Sequence, residues 1–303
     1  MMVCRSAFLR GALFLGCLGI VAQAQPAPAA PAPAEKAARG ETGGLGTGDL
    51  RILPTRVILE GKDRSTEVML QNQGKTKATY RIFFKEMGMS PNGRIEDRTK
   101  PADEITAVDM IRFAPHEVEL APGETQNVRL QLRKPEGLAD GEYRSHLVFQ
   151  GVPAAEVPHP AGEDGQADRS LSFKITPIFG ISIPVIVRHG QCRAEMKVSG
   201  LSYTQATEPD ASPVLALQLE RSGNRSVMGD VQVLVESGGS LKKGTIIAEV
   251  KGVAVYVGLA AREVQLPIAL GRKGGLKNTR VKVTFTPKDL KADPVSNFLD
   301  LTI

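Results

Sequence analysis

From Asp49 onward the apolar positions repeat every second residue, the period of strands that bury one face. Thr66, Val68 and Leu70 alternate with Glu67, Met69 and Gln71. Tyr80, Ile82 and Phe84 alternate with Arg81, Phe83 and Lys85, and Val128, Leu130 and Leu132 with Asn127, Arg129, Gln131 and Arg133. Tyr143, Ser145, Leu147 and Phe149 share a face in the next segment. Turn formers separate these runs: Asn72-Gln73-Gly74, Pro91-Asn92-Gly93, Pro122-Gly123 and Asp140-Gly141. No helical period holds over a dozen residues. Short strands at this spacing predict antiparallel sandwiches.

The pattern continues in a second block. Leu215, Leu217 and Leu219 give its first clear strand, followed by Val231, Val233 and Val235, then Val253, Val255 and Val257. Val281, Val283 and Phe285 come next, then Leu299, Leu301 and Ile303. Two segments lack the alternation. Residues 25–48 are rich in Ala, Pro and Gly and predict a flexible tether. Residues 151–168 are rich in Pro, Gly and acids and predict a long mobile loop within the first domain. The segment after that loop is unusual. Phe173, Ile175, Pro177, Phe179, Ile181, Ile183, Val185 and Val187 occupy alternate positions, more apolar bulk on one side than one small sandwich covers. Its two prolines exclude a fully paired central strand. An uncovered apolar edge is an aggregation hazard unless a partner binds it. The predicted domains are 49–189 and 190–303.

Length fits this division, since 303 residues correspond to about two domains of ~150. Apolar residues make up 42% and aromatics only 5%, with no Trp, so the cores rest on Val, Leu, Ile and Ala. Residues 1–24 read as a signal peptide: Arg5 and Arg10 open it, Gly11 to Ala22 is apolar, and Ala22-Gln23-Ala24 places cleavage before Gln25. Phe14-Leu15-Gly16-Cys17 fits a lipoprotein signal poorly. Its removal lowers the formal net charge of +5 by two, too mild a balance to point to nucleic acid. No later segment reaches the ~20 apolar residues of a membrane span, so the mature chain is not expected to insert in a membrane. Only Cys192 remains after cleavage, so no internal disulfide and no cysteine metal site is predicted.

The search for chemistry yields no constellation. His116, His146, His159 and His189 show no metal-ligand spacing, and no nucleophile elbow is present. Gly61-Lys62-Asp63-Arg64 lacks the spacing of a phosphate loop and reads as a turn between strands. Glu136, Asp140 and Glu142 read as solvated charge in a glycine-containing turn. The expectation is therefore a binding protein, not an enzyme, with no cofactor and no metal.

Three stretches resemble the periplasmic chaperones of bacterial pilus assembly, the PapD-like family. They are Leu53-Pro54-Thr55-Arg56-Val57 with the strand ending at Asn72, then Phe113-Ala114-Pro115 through Arg129 with Gly141-Glu142-Tyr143-Arg144-Ser145-His146-Leu147, and Ile183-Pro184-Val185-Ile186-Val187-Arg188. Arg221 to Ser226 and Gly252-Val253-Ala254-Val255-Tyr256 look like its archaic (alternative) branch. The resemblance spans about residues 50–303. It implies two immunoglobulin-like sandwiches set at an angle with a cleft between them. It implies an activity too: holding pilin subunits by donor-strand complementation in the periplasm and delivering them to an outer-membrane usher. On that reading Phe173, Ile175, Pro177, Phe179 and Ile181 form the donor row. The family anchors the pilin's terminal carboxylate with two cations. The opening Thr-Arg pair, Thr55 and Arg56, supplies one; the second family position falls on Pro184, which leaves Lys174 and Lys85 as substitutes. Arg188 reads as structural, near the domain junction. A structural pilus subunit or adhesin is the alternative, but residues 25–48 do not look like a pilin's donor segment.

Overall fold

Strands form where one face is apolar, and their order shows how the sequence closes on itself. The computed structural model describes residues 49–100, 104–153, 178–205, 212–268 and 276–301. The signal segment, the tether, nearly all of the predicted 151–168 loop, and Phe173, Lys174, Ile175 and Pro177 lie outside them. The first block contains β1 (Leu50–Leu53), β2 (Val57–Leu59), β3 (Ser65–Asn72), β4 (Ala78–Lys85), β5 (Met87–Met89) and β6 (Ile95–Asp97). It continues through one helical turn, α1 (Ala107–Met110), to β7 (Ile111–Ala114), β8 (Glu117–Leu120), β9 (Thr125–Leu132), β10 (Gly141–Val152) and β11 (Gly180–His189). The second contains β12 (Ala194–Thr204), β13 (Val214–Gly223), β14 (Val227–Gly238), β15 (Ile246–Val255), β16 (Ala261–Pro267), β17 (Thr279–Pro287) and β18 (Val295–Leu301).

The protein is all-β, two sandwiches in sequence. In the first, a sheet of order β1-β3-β9-β7 faces one of order β2-β11-β10-β4-β8. In the second, β12-β13-β16 faces β15-β14-β17-β18. The predicted rows supply the cores: Val68, Leu70, Leu130, Tyr80 and Leu147 are buried in the first, Leu217, Val233, Val255, Val283 and Phe285 in the second. Each large apolar side chain buried this way contributes about 1.5–3 kcal/mol against the entropy of ordering the chain.

Three local features depart from plain strand pairing. The first strand of the fold changes sheets: β1 pairs with β3, the chain crosses at Pro54–Arg56, and β2 runs parallel to β11. Asn72 ends β3 buried, its side-chain amide donating to the Thr76 and Leu120 carbonyls at 2.8 and 3.0 Å. Strand β12, missing from the expected pattern, has a register shift between Ser199 and Ser202, where Gly200 adopts φ +57. The bulge flips the apolar parity from Met196 and Val198 to Leu201 and Tyr203, which hides the strand from a strict period-two reading.

The described residues fall in one compact unit, and buried charge joins its two sandwiches. Arg188 at the end of β11 donates to Glu142 at 3.1 Å, to Glu60 at 3.2 Å and to Asp289, after β17, at 3.1 Å. The Glu142 side chain is 1% exposed, so it is not the solvated turn charge the sequence suggested. Gly141 returns the chain directly into β10, and that places Glu142 against the second sandwich, where it also accepts the Ser226 N–H. Asn224 adds a neutral tie, its amide donating to the Asp140 and Gln191 carbonyls. Elsewhere on the junction, the β5–β6 turn reaches the second sandwich: the Pro91 carbonyl accepts the Glu263 N–H at 2.7 Å. Gly93, at φ +82 in that turn, lies against the Arg262 guanidinium where a side chain would intrude.

Candidate functional site

A strand edge and a group of cations in the cleft between the sandwiches together form the candidate site. The edge belongs to β11. Its register with β10 pairs Phe149 with Ile181 and Gln150 with Gly180. Gly151 donates to the Phe179 carbonyl at 3.0 Å. Odd-numbered residues of β11 therefore bond β10, and even-numbered ones turn their backbone groups to the other side. On that side β2 covers only Val185–Val187. The backbone of Gly180, Ser182 and Pro184 consequently faces outward with no strand beside it among the described residues. Pro184 is tolerated there because its missing N–H would have pointed away from β10.

The odd-numbered side chains form the apolar row. Ile183, Val185 and Val187 are buried in the first core. Ile181 and Phe179 continue the same face past the end of that core and are 37% and 50% exposed. The structure thus puts Phe179 and Ile181, the two residues of the predicted donor row that it describes, on an open strand edge with their apolar surface uncovered.

Arg144, His146 and Arg188 come from the opposite faces of β10 and β11. In register, Glu142 lies opposite Arg188, Arg144 opposite Ile186, and His146 opposite Pro184. This row is the face the second sandwich covers: Ile186 packs with Ala254 and Tyr256, and Ile58, Met89 and Met228 close the group. Arg188 is saturated by its three carboxylates. Arg144 is not: its guanidinium lies over the Tyr256 ring, 3.8 Å from the centroid, and its Nη2 donates to the Met87 carbonyl at 3.2 Å. Its Nε is buried without a partner among the described residues. Burial pushes the Arg144 pKa below the usual guanidinium value, against the opposing pull of Tyr256 and Glu142. Arg56, in the crossover between β1 and β2, lies 5.7 Å from the same ring, with Nη1 buried and without a partner among the described residues. His146 meets that ring edge-on at 6.4 Å. Desolvation, with the Arg144 charge second, pushes the His146 pKa down to about 4. Arg262 of β16, its pKa also lowered by burial, donates to the Ala254 carbonyl at 2.6 Å.

Two guanidinium groups lie near one aromatic ring, neither ion-paired among the described residues, and a guanidinium is the donor that grips a carboxylate through two parallel hydrogen bonds. Arg144 also lines a cavity of about 310 Å³ whose wall includes Met89, Arg98, Glu104, Thr106 and Glu142; Arg56 and Tyr256 are not part of that wall. Thr55 is exposed in the same crossover as Arg56. Lys85 is not in this group; it pairs with Asp97 of β6 at 2.7 Å. The sequence reading passed over Arg144 and Tyr256. The signal available was the polar row Glu142, Arg144, His146 on the reverse face of a strand whose other face is core.

No protein-family model matches the chain, and no curated protein matches it. Solved structures similar to it include fimbrial chaperones. The chaperone YadV is 13% identical, with 84% of this chain and 100% of that one covered and a TM-score of 0.43. The CupB2 chaperone of Pseudomonas aeruginosa is 14% identical, with 83% and 100% covered and a TM-score of 0.40. The CsuC–CsuE chaperone–tip adhesion subunit complex from archaic chaperone-usher Csu pili of Acinetobacter baumannii gives 14%, 82%, 97% and 0.41. Identity and superposition this low leave the functional reading to the residues themselves.

Proposed function

We propose that this chain is an exported periplasmic chaperone that captures pilin-type subunits by lending them a strand and delivers them to an outer-membrane usher. The observation that carries the reading is the behaviour of β11. Its apolar row leaves the core at Ile181 and Phe179, where its outer backbone groups have no strand beside them among the described residues. A subunit lacking one strand offers the complement: backbone partners for Gly180 and Ser182, and a groove for the alternate side chains. Phe173, Ile175 and Pro177 continue the row on this proposal, and Lys174 lies on its reverse side.

The cleft supplies the second half of the grip. Arg56 binds the partner's terminal carboxylate, with Thr55 beside it in the crossover, and Arg144 takes the place that Pro184 leaves without a cation. No catalytic turnover, cofactor, metal, nucleic acid or membrane insertion belongs to this function. Export by the signal peptide brings the chain to the periplasm, and domains 49–189 and 190–303 share the work as donor and cleft wall. Affinity purification from a periplasmic extract tests it. A small β-rich partner should come down at one-to-one stoichiometry, and its recovery should fall when Phe179 and Ile181 are both replaced by Ser. Recovery of the chain alone from cells assembling surface fibres refutes it.

A further inference from the structure

We infer that Tyr256, carried by the second sandwich, is the positioning residue of an anion clamp whose two jaws, Arg56 and Arg144, belong to the first. The clamp therefore exists only while the sandwiches are docked. That its anion is a peptide's terminal carboxylate rests on the chaperone reading; the clamp itself does not.

Buried guanidinium groups are held in two ways at this junction. Arg188 shows the first: three carboxylates surround it, and each of its three nitrogens donates to one of them. Arg144 and Arg56 show the second. Both lie near the Tyr256 ring, at 3.8 and 5.7 Å from its centroid. An aromatic face attracts a cation without accepting its in-plane N–H groups, so a guanidinium held this way keeps donors for a ligand. A carboxylate neighbour would instead occupy the fork that a ligand carboxylate needs.

Ring and fork are also rigid. Tyr256 is 4% exposed and packed among Ile186, Ala254, Met228, Ile58 and Met89, so the ring has no room to swing. Arg144 is fixed at its other end by the Met87 carbonyl. A planar fork held before the ligand arrives loses less freedom on binding. Charge at the junction is mixed: Glu142 and Glu86 pull on Arg144, while Glu60, Glu142 and Asp289 are engaged by Arg188. Arg144, Arg56 and Arg262 converge on this junction, and desolvation lowers the Arg144 and Arg262 pKa values. Like charges that are partly desolvated gain most from an anion placed between them.

The test uses acetate and a pair of peptides. Nε–Hε resonances of Arg56 and Arg144 are followed by NMR during an acetate titration of the full mature chain. Acetate should shift both signals along one saturating curve. Tyr256→Leu should abolish the response, and Tyr256→Phe, which keeps the ring face, should restore it; a merely structural bulk at this position would be satisfied by Leu. Arg144→Lys keeps the charge but not the planar fork and should lose the Arg56 response, a result that decides the matter if the Leu variant does not fold. An alternating apolar peptide with a free C-terminal carboxylate should bind about tenfold tighter than its C-terminal amide, the scale of one charge-assisted hydrogen bond. That ratio should fall toward one in Tyr256→Leu. A wild-type acetate response in Tyr256→Leu or Arg144→Lys overturns the inference, as does no saturable response in the wild type. Saturable acetate shifts with no binding of either peptide leave the clamp standing and sink the chaperone reading.

Discussion

His146 makes stability depend on pH in a window that a single substitution removes. The side chain is 2% exposed and flanked in its sheet by Pro184 and Lys85, with Arg144 two residues before it on the same face and the Tyr256 ring above. Protonation would place a second cation beside Arg144 in a desolvated site, and the pKa falls from the ordinary 6.5 to about 4. The unfolded chain therefore binds a proton between pH 6.5 and 4 that the folded chain does not. Stability from this group is fully present above pH 6.5 and declines as pH falls through the window. At pH 5 the loss is about 2 kcal/mol relative to pH 7.5. His146→Gln keeps a polar side chain of similar size and does not titrate. With no Trp in the chain, urea unfolding is followed by far-ultraviolet circular dichroism at pH 7.5 and 5.0. The wild type should lose about 2 kcal/mol more than the variant between the two pH values. Equal losses to within about 0.5 kcal/mol would show that His146 is not held neutral by its surroundings.

Three further outcomes are expected. Arg188→Met leaves Glu142 and Asp289 as buried charges without their cation and should lower unfolding stability by about 3–5 kcal/mol, part of it recovered by a second change, Glu142→Leu, in thermal denaturation. Replacing Phe179 and Ile181 with Ser should weaken partner capture by about 2 kcal/mol, roughly thirtyfold, because about half of each side chain is still uncovered, while the free protein melts nearly as before; a large loss of stability instead would make the row core. Arg56→Ala should leave the fold intact by circular dichroism and weaken partner capture by about 2–5 kcal/mol in a titration, and undiminished capture would place the anchor elsewhere.

Much of the fold was legible because one physical cause acted alone. At Val68 and Leu70, or Val281 and Val283, a strand packs one face on a core and the period follows directly. Legibility failed where a second cause intervened. The bulge at Gly200 reversed the parity of β12, so neither of its faces reads as continuous. Glu142 follows a Gly-containing turn and read as solvated, but its environment is set by Arg188 and Ser226, 46 and 84 residues away. The same holds for Arg144: its partner Tyr256 lies in the other sandwich, and no local pattern announces a contact across a junction.

On the proposed reading, the register of two strands suggests where a second cation would sit. The resemblance pointed to the last strand of the first sandwich, where Pro184 stands. Side chains of that strand facing the cleft are Pro184, Ile186 and Arg188, and the single cation among them is held by three carboxylates. A second jaw on this face has to come from a neighbour. Strand β2 offers Ile58, packed against Tyr256 and Ile186. Strand β10 places His146, held neutral by desolvation, directly opposite Pro184, and Arg144 two residues along, opposite Ile186 and diagonal to the vacant place. Diagonal residues in an antiparallel pair lie about 7–8 Å apart, a separation that a long side chain still spans, so an arginine rooted at 144 reaches toward the space beside Pro184. The proline is thus compatible with a two-cation cleft, provided that the adjacent strand carries an arginine at this register and an aromatic face to hold it.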